Sequence, residues 1–226
     1  VTYTPVTAGT LNWDVPVNAA FTDQDTRITT NASNITSVTN RATALETLTS
    51  ALEFQASDHA AKAWAYDPTM AVNSTVLTSG SVQMSKVILR AGATISTIYY
   101  NVSSAGVTLT AGQNFVGLYD AAGNQVGVSA DQAANWTSTG QKTTALVTPA
   151  VLAAGSYCVA ILSNGTTPPG LARATGQGTF VNFGLTTTTA RYTSAGIGWT
   201  GLTSLPASGN FANRALSSTP LWFAIA

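Results

Sequence analysis

The chain has 226 residues, 8% of them charged, with nine basic side chains balancing nine acidic ones and a single histidine. That balance leaves no electrostatic footprint for nucleic acid or an anionic membrane surface, so neither is expected as a partner. No apolar stretch approaches the roughly 18 residues of a membrane span, and the opening Val1-Thr2-Tyr3-Thr4-Pro5 lacks the basic and apolar regions of a secretion signal. Synthesis in a cytoplasm, with an initiator Met removed ahead of Val1, is the expectation.

Residues 1–20 read as an extended attachment segment. Pro5 and Pro16 disfavour helix, and Trp13, Val15 and Val17 present apolar surface that so short a stretch cannot bury alone. Docking onto another protein, or folding back, would cover it. A helix is predicted to start near Thr22, an N-cap with Asp25 in the first turn.

Residues 21–57 form the second predicted element, a stalk. Phe21, Ile28, Ile35, Ala42 and Thr49 fall at heptad position a, and Gln24, Asn31, Val38, Leu45 and Leu52 at d, with no Pro or Gly between Phe21 and Gln55. About five heptads span roughly 50 Å. Arg41 at g and Glu46 at e have the five-residue spacing that pairs neighbouring strands of a parallel coil. The string from Arg41 to Glu46 resembles the basic, apolar, x, x, apolar, acidic pattern of parallel trimers, although Ala42 is smaller than usual in its slot. Asn31 beside Ile28 resembles the asparagine layers of trimeric fibre shafts. A stripe of this kind can also belong to one helix of a globular bundle. No second helical stretch exists here to complete one, so a parallel homotrimer is expected, with Ile28, Asn31, Ile35, Val38, Arg41, Leu45, Glu46 and Leu52 as its contact residues.

From about residue 58 the texture changes to Gly, aromatic and β-branched residues, and 58–226 is predicted to be one β domain. Strands are expected near 81–90, 94–103, 114–119, 125–129, 143–148, 156–162, 178–185 and 220–226, punctuated by Gly- and Pro-containing turns. The clearest hairpin runs from Leu118 to Gly127. Residues 186–215 are left as a long ordered loop region, where binding sites are often hosted. Short, evenly spaced strands without helical periodicity point to an antiparallel β-sandwich, jelly-roll-like in its favoured form. The fold class is therefore mainly β, a trimeric coiled coil followed by a sandwich head. Cys158, alone in the apolar run from Ser156 to Leu162, reads as a buried thiol.

The phrase Trp13-Asp14-Val15-Pro16-Val17-Asn18 before a threonine-rich heptad, the strand phrases from Ala111 to Leu162 and the closing Ser218-to-Ala226 strand together resemble tail fibre or minor tail proteins of phages that infect actinobacteria. The resemblance covers most of the chain in style and phrasing and includes no catalytic motif. It implies a virion protein that acts at the host surface: an N-terminal segment joined to other tail proteins, a trimeric stalk, and heads facing the host envelope.

Residues that could carry chemistry are few. His59 has no second histidine or carboxylate cluster for a metal site, and no Gly-x-Ser-x-Gly elbow accompanies it, so it reads as a linker residue and no cofactor or metal is expected. A glycan depolymerase needs two carboxylates roughly 5 to 10 Å apart. The head has only Asp58, Asp67, Asp120 and Asp131, and Asp120 and Asp131 read first as turn and loop residues. Carbohydrate adhesion asks only for exposed aromatics with adjacent amides. Trp136 with Asn135 and Asp131 fits best, followed by Arg191 with Tyr192 and by Trp199; Trp222, Phe223, Tyr157 and Phe115 are assigned to the core. The expected function is a non-enzymatic trimeric receptor-binding fibre. A polysaccharide-cleaving spike and a purely structural fibre are the alternatives.

Overall fold

The computed structural model describes residues 14–52, 54–175, 182–194, 196 and 198–226, and the chain divides into two compact units, Val1–Phe54 and Gln55–Ala226. Among the described residues of the first unit there is one helix, α1, running from Asp14 to Leu52. It starts about two turns before the predicted Thr22, so the part of the expected extended segment from Asp14 onward is helical. Pro16 is compatible with this because the first-turn N–H groups of a helix have no intrahelical acceptor to lose. Thr22 is accordingly inside the helix, where its hydroxyl donates to the Asn18 carbonyl (2.9 Å). Residues 1–13 lie outside the described residues.

Threonine is a mediocre helix former, and α1 manages it by back-bonding. Thr26, Thr29, Thr36, Thr39 and Thr47 each donate a hydroxyl hydrogen to the carbonyl four residues earlier, at 2.9–3.0 Å. Ile28, Ile35 and Val38 are 65, 67 and 63% exposed, so the heptad stripe is a solvent-facing surface of the single chain.

The second unit is mainly β and antiparallel, with fourteen strands among its described residues: β1 (Ala63–Trp64), β2 (Asn73–Val76), β3 (Gln83–Leu89), β4 (Ala93–Ser104), β5 (Val107–Leu109), β6 (Phe115–Tyr119), β7 (Gln125–Val128), β8 (Gly140–Leu152), β9 (Gly155–Leu162), β10 (Gly165–Thr167), β11 (Gly170–Arg173), β12 (Tyr192–Ser194), β13 (Ala215–Leu216) and β14 (Ala224–Ile225). One sheet has the order β1-β14-β4-β11-β2, with β8 also paired to β4. The other has the order β13-β12-β3-β9-β6-β7, and β5 pairs with β10 separately. The chain crosses between sheets from β3 to β4, back to β6 and β7, over to β8 and back again to β9. Side chains from both sheets, among them Val87, Ile98, Tyr100, Val102, Leu118, Val159, Ile161 and Phe223, form one core cluster.

Strand β4 shows how sequence pattern becomes packing. Ile98, Tyr100 and Val102 alternate inward and are essentially inaccessible, while Tyr99 and Asn101 point the other way. Ile95 also points inward although it is three residues from Ile98. The register against β8 shifts between Ile95 and Thr97, and the extra residues on β8 include Pro149, which a regular central ladder would not accept.

Strand β9 is buried on both faces, which is why its sequence shows no alternation. Val159 and Ile161 join the core between the sheets; Cys158, Ala160 and Leu162 join a second cluster with Val82, Met84, Tyr119, Trp199, Leu205 and Phe211. The expected binding loops around 186–215 therefore include β12 and a cover for the outer face of the second sheet. The predicted strand at 178–185 is not found in its described part, since Phe183 and Gly184 form a turn, and residues 178–181 lie outside the described residues. Cys158 is a buried free thiol, and burial pushes its ionisation up.

The hairpin from β6 to β7 pairs Leu118 with Gly127 and Tyr119 with Gln125. Its turn includes Gly123 at φ 91°, where a Cβ would run into the Gly209 carbonyl oxygen. Gly123→Ala combines left-handed strain with that collision and is expected to cost about 1–3 kcal/mol, read as a lowered thermal midpoint. An unchanged midpoint would show that the cover loop can retreat without loss.

Candidate functional site

The aromatics nominated from sequence are built into the two cores. Trp136 is fully buried, and its indole Nε1–H donates to the Tyr100 hydroxyl (2.8 Å). Thr144 donates to Gln132 Oε1 (3.1 Å), so the Tyr100 hydroxyl gives its own proton to Thr144 (2.8 Å). Asn135 Nδ2 donates to the same Gln132 oxygen (2.8 Å), and Asp131 Oδ1 accepts from the Asn114 backbone N–H (2.9 Å). The Asp131–Trp136 loop thus inserts one large side chain into the core and satisfies every polar group that goes with it. It leaves no indole face for a sugar to stack on.

Trp199 is 2% exposed, packs edge-on to Tyr119 at a centroid distance of 5.7 Å, and donates Nε1–H to the Asn210 carbonyl (3.3 Å). Tyr192 is buried in β12, beside the exposed Arg191, whose guanidinium lies 5.8 Å from the Tyr192 ring and donates to the Ala65 carbonyl (3.3 Å). Asn182 fixes this corner: it accepts from the Arg191 and Tyr192 N–H groups and donates to the Tyr192 and Ser217 carbonyls. These nominations are corrected by one physical fact. A large aromatic bracketed by turn residues is often an anchor for its loop, because burying its ring is the cheapest way to order the backbone around it.

Asp120 is likewise a turn residue. Its carboxylate accepts from the backbone N–H groups of Ala122 (2.9 Å) and Asn124 (2.8 Å) and from Asn124 Nδ2 (2.9 Å). The slight burial of the group opposes ionisation, but the Asn124, Ala122 and Gly123 donors outweigh it and hold the carboxyl below its ordinary range.

A different set of residues forms a cleft of about 410 Å³ on the first sheet. Its lining includes the aromatics Trp64, Tyr99 and Trp222, the amides Asn101 and Gln141, and His59, with Ala61, Ala71, Ala172 and Ala224 as small residues among them. Strand register explains the arrangement. Trp64 pairs with Ala224 and Ala224 with Tyr99, giving a row of large, small, large across β1, β14 and β4. One step along, Asn101 pairs with Gln141 on β8. The outward phase of β4 puts Tyr99 and Asn101 on the same face.

Trp222, expected in the core, is half-buried between the buried Leu221 and Phe223. Its indole N–H donates to the Tyr66 carbonyl (3.0 Å) and its backbone N–H to the Ala172 carbonyl (3.1 Å), which fixes the ring's edge. Tyr66 is itself clamped: its hydroxyl donates to the Pro220 carbonyl and accepts from the Ala174 N–H, both at 2.8 Å. Burial pushes the Tyr66 phenol well above its ordinary range. His59, expected to be a linker residue, lines the cleft with its ring 5.8 Å from that of Trp64. Nearby, Asp67 accepts from the hydroxyl (2.6 Å) and backbone N–H (2.8 Å) of Thr69, which together hold its carboxyl below the ordinary range.

Chemically, this is an open cleft whose described lining residues include aromatic rings, a histidine and amides that both donate and accept, and no Asp, Glu, Lys or Arg. The signal that would have found it is period-two alternation: in Ile98-Tyr99-Tyr100-Asn101-Val102 and in Leu221-Trp222-Phe223 the central polar or aromatic positions fall opposite the buried ones. Among the described residues, no group of three or more His, Cys, Asp or Glu is placed to hold a metal ion. Compared with known proteins, the chain matches no family model and no curated sequence.

Proposed function

We propose that this chain is a virion adhesin: a trimeric tail-fibre or receptor-binding protein whose coiled-coil stalk carries three jelly-roll-like β-sandwich heads that adhere to glycan on the host surface. In this reading the segment before the stalk engages other tail proteins, and the protein binds without turning its ligand over. The observation that carries the reading is the cleft, where three aromatic side chains and two amides line a space of about 410 Å³, within the range of small-ligand sites. Sugars present an apolar C–H face and a rim of hydroxyls, and this lining offers a partner to each.

The stalk supports the same reading. A threonine-rich helix with exposed Ile28, Ile35 and Val38 gains little from intrinsic propensity and needs packing partners to hold its length. Two further copies would supply them, and three linked heads would convert weak single-site binding into avidity.

The test is binding of the purified protein to host-envelope polysaccharide. Tyr99→Ala removes one stacking surface from an outward strand position and is expected to weaken binding by about tenfold per site with little change in thermal midpoint. A folded Tyr99→Ala, Asn101→Ala double variant that binds as well as the parent would remove the cleft from the proposal.

A further inference from the structure

We infer that the cleft selects neutral sugar units and rejects acidic ones such as uronic acids or sugar phosphates; this rests on the glycan-adhesion reading above. The described residues lining it include no Asp, Glu, Lys or Arg. A sugar hydroxyl is both donor and acceptor, and so are the amides of Asn101 and Gln141, so hydroxyls can be met in either sense. A carboxylate or phosphate only accepts. It would need a cation, or several N–H groups without opposing carbonyls, to offset its loss of hydration.

The surrounding charges do not supply that cation. Lys142 follows Gln141 on β8 but pairs with the inward Tyr100, and its ammonium donates to Ser138 Oγ (2.9 Å). Arg173 follows Ala172 on β11, and its guanidinium donates to the carbonyls of Ser74 (3.2 Å) and Ala174 (3.0 Å). Lys62 is exposed and is not part of the lining. An anionic ligand would enter a cleft whose described lining residues include no Lys or Arg.

Stacking reinforces the preference. Trp64, Tyr99 and Trp222 line the cleft with aromatic rings, whose packing against C–H groups does not depend on ligand charge. The affinity of a neutral ligand should then be nearly independent of ionic strength, as an uncharged pair has nothing to screen.

The experiment uses the full chain and a panel of neutral hexose and pentose oligosaccharides beside their uronic-acid and phosphorylated counterparts, each at low and high salt. Neutral members are expected to bind with little salt dependence, and their acidic counterparts to bind about tenfold more weakly or worse. Gln141→Lys places a cation on an exposed strand position and is expected to raise binding of the acidic members at low salt. Acidic members that match or exceed their neutral counterparts, with binding lost in Tyr99→Ala, would overturn the selectivity and leave adhesion standing. Binding of neither class would instead sink the adhesion reading itself.

Discussion

An Ile35→Asp chain is expected to sediment as a monomer where the parent sediments as a trimer, a threefold difference in mass that light scattering also resolves. Ile35 stands at a central a position, and in the single chain it is 67% exposed. In a parallel trimer three copies would face one another, so the substitution places three carboxylates in one apolar layer. Each buried, unpaired charge costs several kcal/mol, roughly, and like charges at close range add to it. The helix should fail along with the assembly. Its threonine content and scarcity of charge pairs leave little to hold it in isolation, so the helical circular-dichroism signal should fall with the mass. Arg41→Ala makes the contrast: an exposed g–e′ pair with Glu46 contributes about 0–1 kcal/mol, and the trimer should survive its loss. A parent protein that sediments as a monomer or dimer would overturn the trimer outright.

Trp136→Ala is expected to destabilise the head by about 3–5 kcal/mol, the cost of deleting a buried aromatic whose site cannot collapse. In a domain of this size that lowers the melting temperature by about 10 °C or more. The reason is specific to the chain of donors around it. Trp136 gives its N–H to Tyr100, Tyr100 gives its proton to Thr144, and Thr144 gives its own to Gln132. Removing the indole leaves a cavity and takes a donor from a buried hydroxyl. Trp136→Phe keeps most of the ring and loses only the donor, and about 1–2 kcal/mol is expected for it. If the proposed glycan adhesion holds, folded Trp136→Phe should bind as the parent does, since the residue is buried in the core and is not part of the cleft lining. Full stability in Trp136→Ala together with lost binding would return Trp136 to the ligand site.

The sequence reading and the structure part company at positions with a common physical cause. The helix was legible because a seven-residue repeat is a local signal, written in order along the chain. The long strands β3, β4, β6 and β9 were legible as runs of β-branched and aromatic residues bounded by turn signals, which are also local. The short strands β1, β2, β12 and β13 were not, because two to four residues carry no period and are recruited only by the ladder they complete. The helix start was missed because Pro16 was weighed as a breaker, when a first-turn proline breaks nothing.

The candidate site moved for a subtler reason. Composition alone marks Trp136, Tyr192, Trp199 and Trp222 as large aromatics near polar or glycine residues, and it does not say which are covered. Coverage depends on which segments fold over which sheet face. Residues 196 and 198–214 cover one face of the second sheet and carry Trp199 inward, while the outer face of the first sheet is left open around Tyr99, Asn101, Gln141 and Trp222.

By itself the sequence determined the helical heptad stretch, the change to a β-rich composition near residue 58 and the inward and outward alternation along β4. Those properties follow from periodicity and composition, which need only neighbouring residues. The tertiary structure alone decided which aromatics are core and which line a cleft, that His59 and Trp64 meet Trp222 from the far end of the chain, and that Asp120 and Asp131 serve turns and loop backbone. Each depends on residues brought together by strand pairing across most of the domain, and no local pattern records such a pairing.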